Sequence, residues 1–222
     1  MPLIDKYKTL LFDLDGTLTD PKIGITKSVH YALNKMGIKD VATESLVKFI
    51  GPPLGESFTN YYDFDKEQAD FAIRYYREYF SETGIFENTL YPGISILLQK
   101  LKEKTIKLIV ATSKPTVYAR TICEHFSILQ YFTEIEGSEL DGRLSNKSEL
   151  IGYIVKKHCI DKDKVLMIGD REHDVIGAKN NTIKSIGVGY GYGSREELEG
   201  SGATYYVNTI EELSTLLIGK ST

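Results

Sequence analysis

After the polar positions Lys8 and Thr9 comes a wholly apolar run, Leu10-Leu11-Phe12, that stops at Asp13-Leu14-Asp15-Gly16. A short apolar run closed by a glycine predicts a buried strand. The period then changes. Ile25, Val29, Leu33 and Met36 recur at helical spacing, and Gly37 follows as a C-cap. A second helix is predicted over residues 43–49, where Gly51-Pro52-Pro53 stops it, and a third over residues 66–81 with Ala69, Ile73, Tyr76 and Phe80 on one face. From residue 20 to residue 88 the pattern predicts helices and turns and no strand.

From Tyr91 onward the rhythm alternates. Pro92-Gly93 opens a helix carrying Ile94, Leu97, Leu98 and Leu101. Residues 105–112 read as an apolar strand, and Pro115, suited to a first helical turn, begins a helix to about residue 126. A short strand at 132–137, a helix at 147–157, a strand at 164–169 and a helix at 174–180 follow. Strands at 183–189 and 204–207 come next, and Asn208 with Glu211 forms a capping box for a last helix.

Strand–helix alternation predicts an α/β fold, a Rossmann-like parallel sheet covered on both faces. The expected organisation is a core of residues 1–19 and 88–222, interrupted by an inserted all-helical cap of residues 20–87. Both junctions fall at the carboxyl end of the first strand, so a lid hinged there would close over Asp13.

Bulk composition narrows the function classes. The 222 residues carry a net charge of −4, with no dense basic patch, which argues against a nucleic-acid partner. No apolar run has spanning length and no charged-then-apolar leader is seen, so a cytoplasmic protein without a membrane partner is expected. Cys123 and Cys159 lack metal or redox spacing and read as ordinary thiols in a reducing compartment. His30, His125, His158 and His173 are scattered and give no zinc signature.

The candidate chemistry lies where strands stop. Strand side chains alternate between faces, so Asp13 and Asp15 project together if extended backbone persists that far, and Gly16 lets the chain turn away. Carboxyl ends of strands are where open α/β sheets place ligands. Thr112 and Ser113 end one strand and open a helix, which suits either a phosphate cradle or a plain helix cap. Lys147 stands at a helix start, where a lysine is usually solvated, and gains weight because the fold order places that helix before the next core strand. Asp170 and Asp174 follow a second apolar strand and glycine, so two strands deliver carboxylates to one sheet edge. Buried like charges repel unless a cation lies between them, and carboxylate oxygens at this density suit Mg²⁺.

In order and spacing, Asp13-Leu14-Asp15-Gly16-Thr17, Thr112-Ser113, Lys147 and Gly169-Asp170-Arg171-Glu172-His173-Asp174 resemble the four motifs of the haloacid dehalogenase-like hydrolases, and the insert resembles that family's type 1 cap. The resemblance spans essentially the whole chain. It implies Asp13 as nucleophile, Asp15 as general acid/base, Thr112 and Ser113 at the phosphoryl oxygens and Lys147 as neutralising charge. It implies Mg²⁺ held by Asp13, the Asp15 carbonyl and Asp170, with Asp174 orienting metal waters or Lys147. Arg171 departs from the pattern, standing where the family often has a small hydroxyl residue.

Longer strings, among them Gly51-Pro52-Pro53 and Tyr190-Gly191-Tyr192-Gly193-Ser194, resemble the bacterial 5′-nucleotidase-like relatives of phosphoglycolate phosphatase. The implied activity is hydrolysis of a small phosphomonoester through an aspartyl phosphate. The acid at Asp15 separates the chain from the dehalogenase and phosphonate-cleaving branches, which lack it. A phosphosugar mutase and a non-catalytic phosphate-binding module are the alternatives. Gly51, Pro52, Pro53 and Leu54 would face the substrate or simply form a turn, and the tyrosines at 61, 62, 75, 76 and 79 would stack on a base or pack the cap. A monomer is the default expectation, a homodimer the alternative.

Overall fold

β1 (Thr9–Phe12) takes up the first apolar run, and all four of its residues are buried. The structure, a computed structural model, describes residues 1–220. β2 (Thr19–Asp20) leads into α1 (Lys22–Lys35), α2 (Leu54–Tyr62) and α3 (Lys66–Tyr79), and β3 (Thr89–Leu90) leads out, pairing with β2 as a separate two-stranded sheet. Then come α4 (Ile94–Glu103), β4 (Lys107–Pro115), α5 (Thr116–His125), β5 (Glu134–Ser138), α6 (Lys147–Lys157) and β6 (Val165–Gly169). The chain ends through α7 (Glu172–Asn180), β7 (Lys184–Val188), α8 (Arg195–Gly200), β8 (Tyr205–Val207) and α9 (Ile210–Ile218).

Two compact units result, one of Met1–Thr19 with the chain from Leu90 onward, the other Asp20–Thr89. The second crossing lies two residues beyond the position read from the pattern, because Asn88 and Thr89 carry no periodicity and β3 is too short to announce itself.

In the first unit six strands form one parallel sheet in the order β5-β4-β1-β6-β7-β8. The chain runs outward from β1 in one direction and then in the other, so the strand order reverses between β1 and β6. Leu11, Ile109 and Met167 share one face with Leu150, Ile151 and Ile154 of α6 and Ala178 of α7. The alternate residues Leu10, Phe12, Leu108, Val110, Leu166 and Ile168 are fully buried as well. A strand buried on both faces reads as a continuous apolar run, which is why these elements were visible in the sequence.

The helical unit packs around aromatic rings. Phe49 meets Phe58, Tyr61 and Tyr62 at 5.1, 5.3 and 6.1 Å between centroids, and Phe80 stacks on Tyr76 at 5.2 Å. Tyr79 lies against Tyr31, and Lys35 over the ring of Tyr75. Tyr76 is buried in this packing, the plainer of the two readings, whereas Tyr61 keeps an exposed edge and Tyr75 is only partly buried.

Several elements depart from the pattern. The apolar pattern gives no signal for α2, since Gly55, Ser57, Thr59 and Asn60 are poor helix formers; burial of Phe58 outweighs their propensity. The segment over residues 43–49 is a 3₁₀ rather than an α helix, and the third helix gives way at Phe80 to a π turn ending at Gly84. Pro115 closes β4 and caps α5 from outside rather than occupying its first turn. The last helix is capped by Thr209, which accepts from the Glu212 N–H at 3.1 Å, one residue beyond the expected Asn208–Glu211 box. α8 carries too little periodicity to stand out in the pattern, although Ser194 caps it by accepting from the Glu197 N–H. Among the described residues no helix is long and apolar enough to cross a membrane.

Candidate active site

The carboxyl ends of β1 and β6, the strands either side of the topological reversal, carry the acids. The Asp13 N–H donates to the Ile168 carbonyl at 2.9 Å, which keeps the two strand ends in step. Lys147, the first residue of α6, is buried and donates from Nζ to Asp13 Oδ1 at 2.7 Å, to Asp174 Oδ1 at 2.5 Å and to the Ala111 carbonyl at 2.8 Å. An ammonium has three protons, and all three are directed to acceptors. The solvated reading of Lys147 does not hold.

The chain leaves extended geometry after Phe12, yet Asp15 stays in the same buried cluster. Its Oδ2 pairs with Lys114 Nζ at 2.8 Å. Its Oδ1 is buried without a hydrogen-bond partner, and so is Ser113 Oγ. Thr112 is buried beside them, its Oγ1 accepting from the Lys114 N–H at 3.2 Å.

Asp170 is completely buried at the end of β6. Thr17 Oγ1 donates to its Oδ1 at 3.2 Å and the Tyr192 N–H to its Oδ2 at 2.8 Å. The Gly193 N–H donates to the Asp170 carbonyl, and the Tyr190 hydroxyl to the Thr17 carbonyl at 3.1 Å. The loop after β7 thus props both the first turn and Asp170. Gly16 has φ +85°, and a Cβ there would fall 2.2 Å from Asp170 Oδ2, so both backbone and space require glycine. Asp174, on α7, accepts from the Arg171 N–H at 3.2 Å with its Oδ2.

Burial and mutual repulsion shape the charges. Burial pushes the Asp170 carboxyl well above its usual range, with Asp13 and Asp174 adding to it. Burial likewise raises Asp174 to about 6, against the pull of Lys147. Asp15 is raised by burial and partly drawn back by Lys114. For Lys147 burial acts to lower the pKa, but Asp13 and Asp174 together outweigh it and raise the value. The buried groups are Asp13, Asp15, Asp170 and Asp174 against Lys114 and Lys147, an excess of two carboxylates over ammonium groups. Asp13, Asp170 and Asp174 each offer an oxygen within 4.8 Å of the others. Buried charge of this kind calls for a compensating cation, and hard oxygen donors suit a divalent one.

The fold thus brings together Asp13, Asp15, Thr112, Ser113, Lys147, Asp170 and Asp174. Gly51, Pro52, Pro53 and Leu54 belong to the helical unit, half-buried where the chain enters α2. Sequence reading assigned nothing to Lys114, although it follows the hydroxyl pair directly. It also assigned no partner to Arg171, whose guanidinium Nε donates to Glu197 Oε1 at 2.8 Å; the Ser194–Glu197 cap was the available signal.

A family model described as haloacid dehalogenase-like hydrolase matches residues 10–188. A Pseudomonas aeruginosa protein named 5′-nucleotidase is 46% identical over 212 residues, covering 96% of each chain. A Mycobacterium tuberculosis protein named tyrosine-protein kinase PtkA is 36% identical over 94% of this chain and 72% of its own. Among solved structures, a predicted phosphatase from Clostridium acetobutylicum superposes with a TM-score of 0.93 at 54% identity, covering 95% of this chain and 97% of that one.

Proposed function

The chain belongs to the haloacid dehalogenase-like hydrolases, and from that premise we propose that it is a Mg²⁺-dependent phosphomonoesterase acting through an aspartyl phosphate. The observation that carries the reading is the buried ion-pair cluster: Lys147 spans Asp13 and Asp174, and two carboxylates are left in excess.

Asp13 attacks phosphorus in line. A new Asp13–phosphorus bond forms, the ester P–O bond breaks, and its electron pair leaves on the substrate oxygen, which takes a proton from Asp15. In the second half a water attacks phosphorus and gives a proton to Asp15, and the Asp13 carboxylate departs with the electron pair to release phosphate. Lys147 holds Asp13 in one orientation and spreads positive charge toward the phosphoryl oxygens. Thr112 and Ser113 offer hydroxyls to the same oxygens; the unpartnered Ser113 Oγ supports that assignment. Mg²⁺, when held by Asp13, the Asp15 carbonyl and Asp170 with Asp174 beside them, supplies neutralising charge for the phosphoryl group. The helical unit serves as a cap that excludes bulk water while the aspartyl phosphate exists, and Gly51, Pro52, Pro53 and Leu54 help select the substrate.

The 46% identical relative named 5′-nucleotidase supports a nucleoside 5′-monophosphate as substrate class. The test is phosphate release from nucleoside monophosphates, phosphoglycolate, hexose phosphates and phosphotyrosine, with Mg²⁺ and with chelator, for the native chain and Asp13→Asn. Nucleotide-selective, Mg²⁺-dependent release that Asp13→Asn abolishes is expected. Release that survives Asp13→Asn overturns the covalent reading. Isomerisation of glucose 1-phosphate without phosphate release makes the protein a mutase.

A further inference from the structure

Lys114 stands at an irregularity of β4. Its pairing with β5 shifts register between Thr112 and Pro115, and the Lys114 N–H turns back onto Thr112 Oγ1. Departures of this kind re-aim a side chain that regular alternation would send elsewhere. Here the re-aimed ammonium is buried, its side chain 6% exposed, and it meets Asp15 Oδ2 at 2.8 Å. Holding a lysine out of water is costly unless a partner is fixed in place. The two oxygens of Asp15 are thereby made unequal: Oδ2 is engaged, while Oδ1 is buried with no hydrogen-bond partner.

We propose that Lys114 is a positioning residue for proton transfer, clamping Asp15 through Oδ2 so that Oδ1 is the oxygen that exchanges protons with the leaving group and with water. This rests on the phosphoryl-transfer reading above. In the first half-reaction the P–O bond breaks, its electron pair stays on the leaving oxygen, and the proton on Asp15 Oδ1 moves to that oxygen. In the second, the attacking water leaves its proton on Oδ1. Throughout, Oδ2 remains an acceptor for Lys114, so the carboxyl group does not rotate between the two steps. Asp15 touches the reacting atoms; Lys114 acts through it.

A clamp on the general acid has a signature that phosphate binding or general support of the fold does not share. An alkyl phosphate needs a proton on its departing oxygen, whereas the nitrophenolate of p-nitrophenyl phosphate leaves without one. The value of kcat/KM reports steps up to leaving-group departure, so slow hydrolysis of the aspartyl phosphate does not mask the difference. For Lys114→Met, kcat/KM is expected to fall about 100-fold on an alkyl phosphate and less than about tenfold on p-nitrophenyl phosphate, in line with the usual weight of general acid catalysis.

The companion measurement is Lys114→Met in an Asp15→Asn background. That double variant removes both charges of the pair and keeps the fold open to study even where Lys114→Met alone does not fold. If Lys114 acts only through Asp15, the double variant is within about twofold of Asp15→Asn on both substrates, the strongly coupled outcome of a mutant cycle. A uniform loss across leaving groups, or a double variant well below Asp15→Asn, makes Lys114 a phosphate-binding group and overturns the proposal. Activity that survives Asp13→Asn overturns the phosphoryl-transfer reading instead, and the two failures are distinct.

Discussion

Lys147 Nζ lies 2.7 Å from Asp13 Oδ1 although 134 positions separate the two residues in the chain. Both are buried, and the same ammonium is shared with Asp174. The contact therefore joins the first strand to the fourth of the main sheet, through the first turn of α6 and the first turn of α7.

Lys147→Met removes the one ammonium between two buried carboxylates. Losing one partner of such a pair costs about 3–5 kcal/mol, far more than losing a surface ion pair. The urea midpoint is expected to drop accordingly with an unchanged slope, and phosphate release to be lost. A variant as stable as the native chain would mean that Lys147 is not fully desolvated.

Excess buried carboxylate predicts that divalent metal stabilises the fold. At a Mg²⁺ concentration 100 times its dissociation constant, linkage gives about 2.7 kcal/mol. Thermal unfolding with Mg²⁺ and with chelator measures this, and Asp170→Asn should abolish the Mg²⁺-dependent rise in Tm. A rise that Asp170→Asn leaves intact places the metal elsewhere.

Gly16→Ala strains a left-handed backbone, φ +85°, and drives a methyl to 2.2 Å from Asp170 Oδ2. The backbone alone costs about 1–2 kcal/mol, and the collision displaces the Asp170 carboxylate as well. Lower stability together with weaker Mg²⁺ binding, by titration calorimetry, is the expected pair of effects. Gly142→Ala also sits at positive φ, +91°, but meets no atom within 4 Å; it should cost stability and leave Mg²⁺ binding untouched.

The two thiols should differ sharply. Cys123 is fully buried and burial pushes its pKa up to about 12, while Cys159 is exposed. Native protein is expected to take up one equivalent of iodoacetamide rapidly, at Cys159, and the second only on unfolding. The folded chain keeps a proton that the unfolded chain begins to lose near pH 9. This contribution to stability is complete below that pH and is lost as pH rises toward about 12. Cys123→Ala should flatten the alkaline fall in Tm; an unchanged fall assigns it to other groups.

The elements legible in the sequence were those whose burial is two-sided or strongly periodic. Leu10, Leu11 and Phe12 read as an inner strand bounded by a glycine turn, and Ile25, Val29 and Leu33 as a helix face. α2 was illegible because Gly55, Ser57, Thr59 and Asn60 are poor helix formers, and the helix is held by its own Phe58 packing against Phe49. α8 was illegible because six residues carry too little period. Asp13 and Asp170 were visible because each closes an apolar strand and its turn, a position that brings a charge to the rim of a sheet, and Asp15 and Asp174 follow two and four residues on.

The residues themselves determined the parallel α/β architecture, the placement of Asp13, Asp15 and Asp170 where strands stop with Asp174 in the helix turn that follows, and the family. Burial pattern and turn chemistry are local properties, and a chain carries them in its order. What only the tertiary structure decided is which charges meet. That Lys147 joins Asp13 to Asp174 and Lys114 takes Asp15 follows from sheet order, the β4 irregularity and the burial of Lys147 at the first position of α6. The unequal oxygens of Asp15 follow from the same arrangement. Ion pairing depends on distances of a few ångströms between segments far apart in sequence, and no local pattern encodes them.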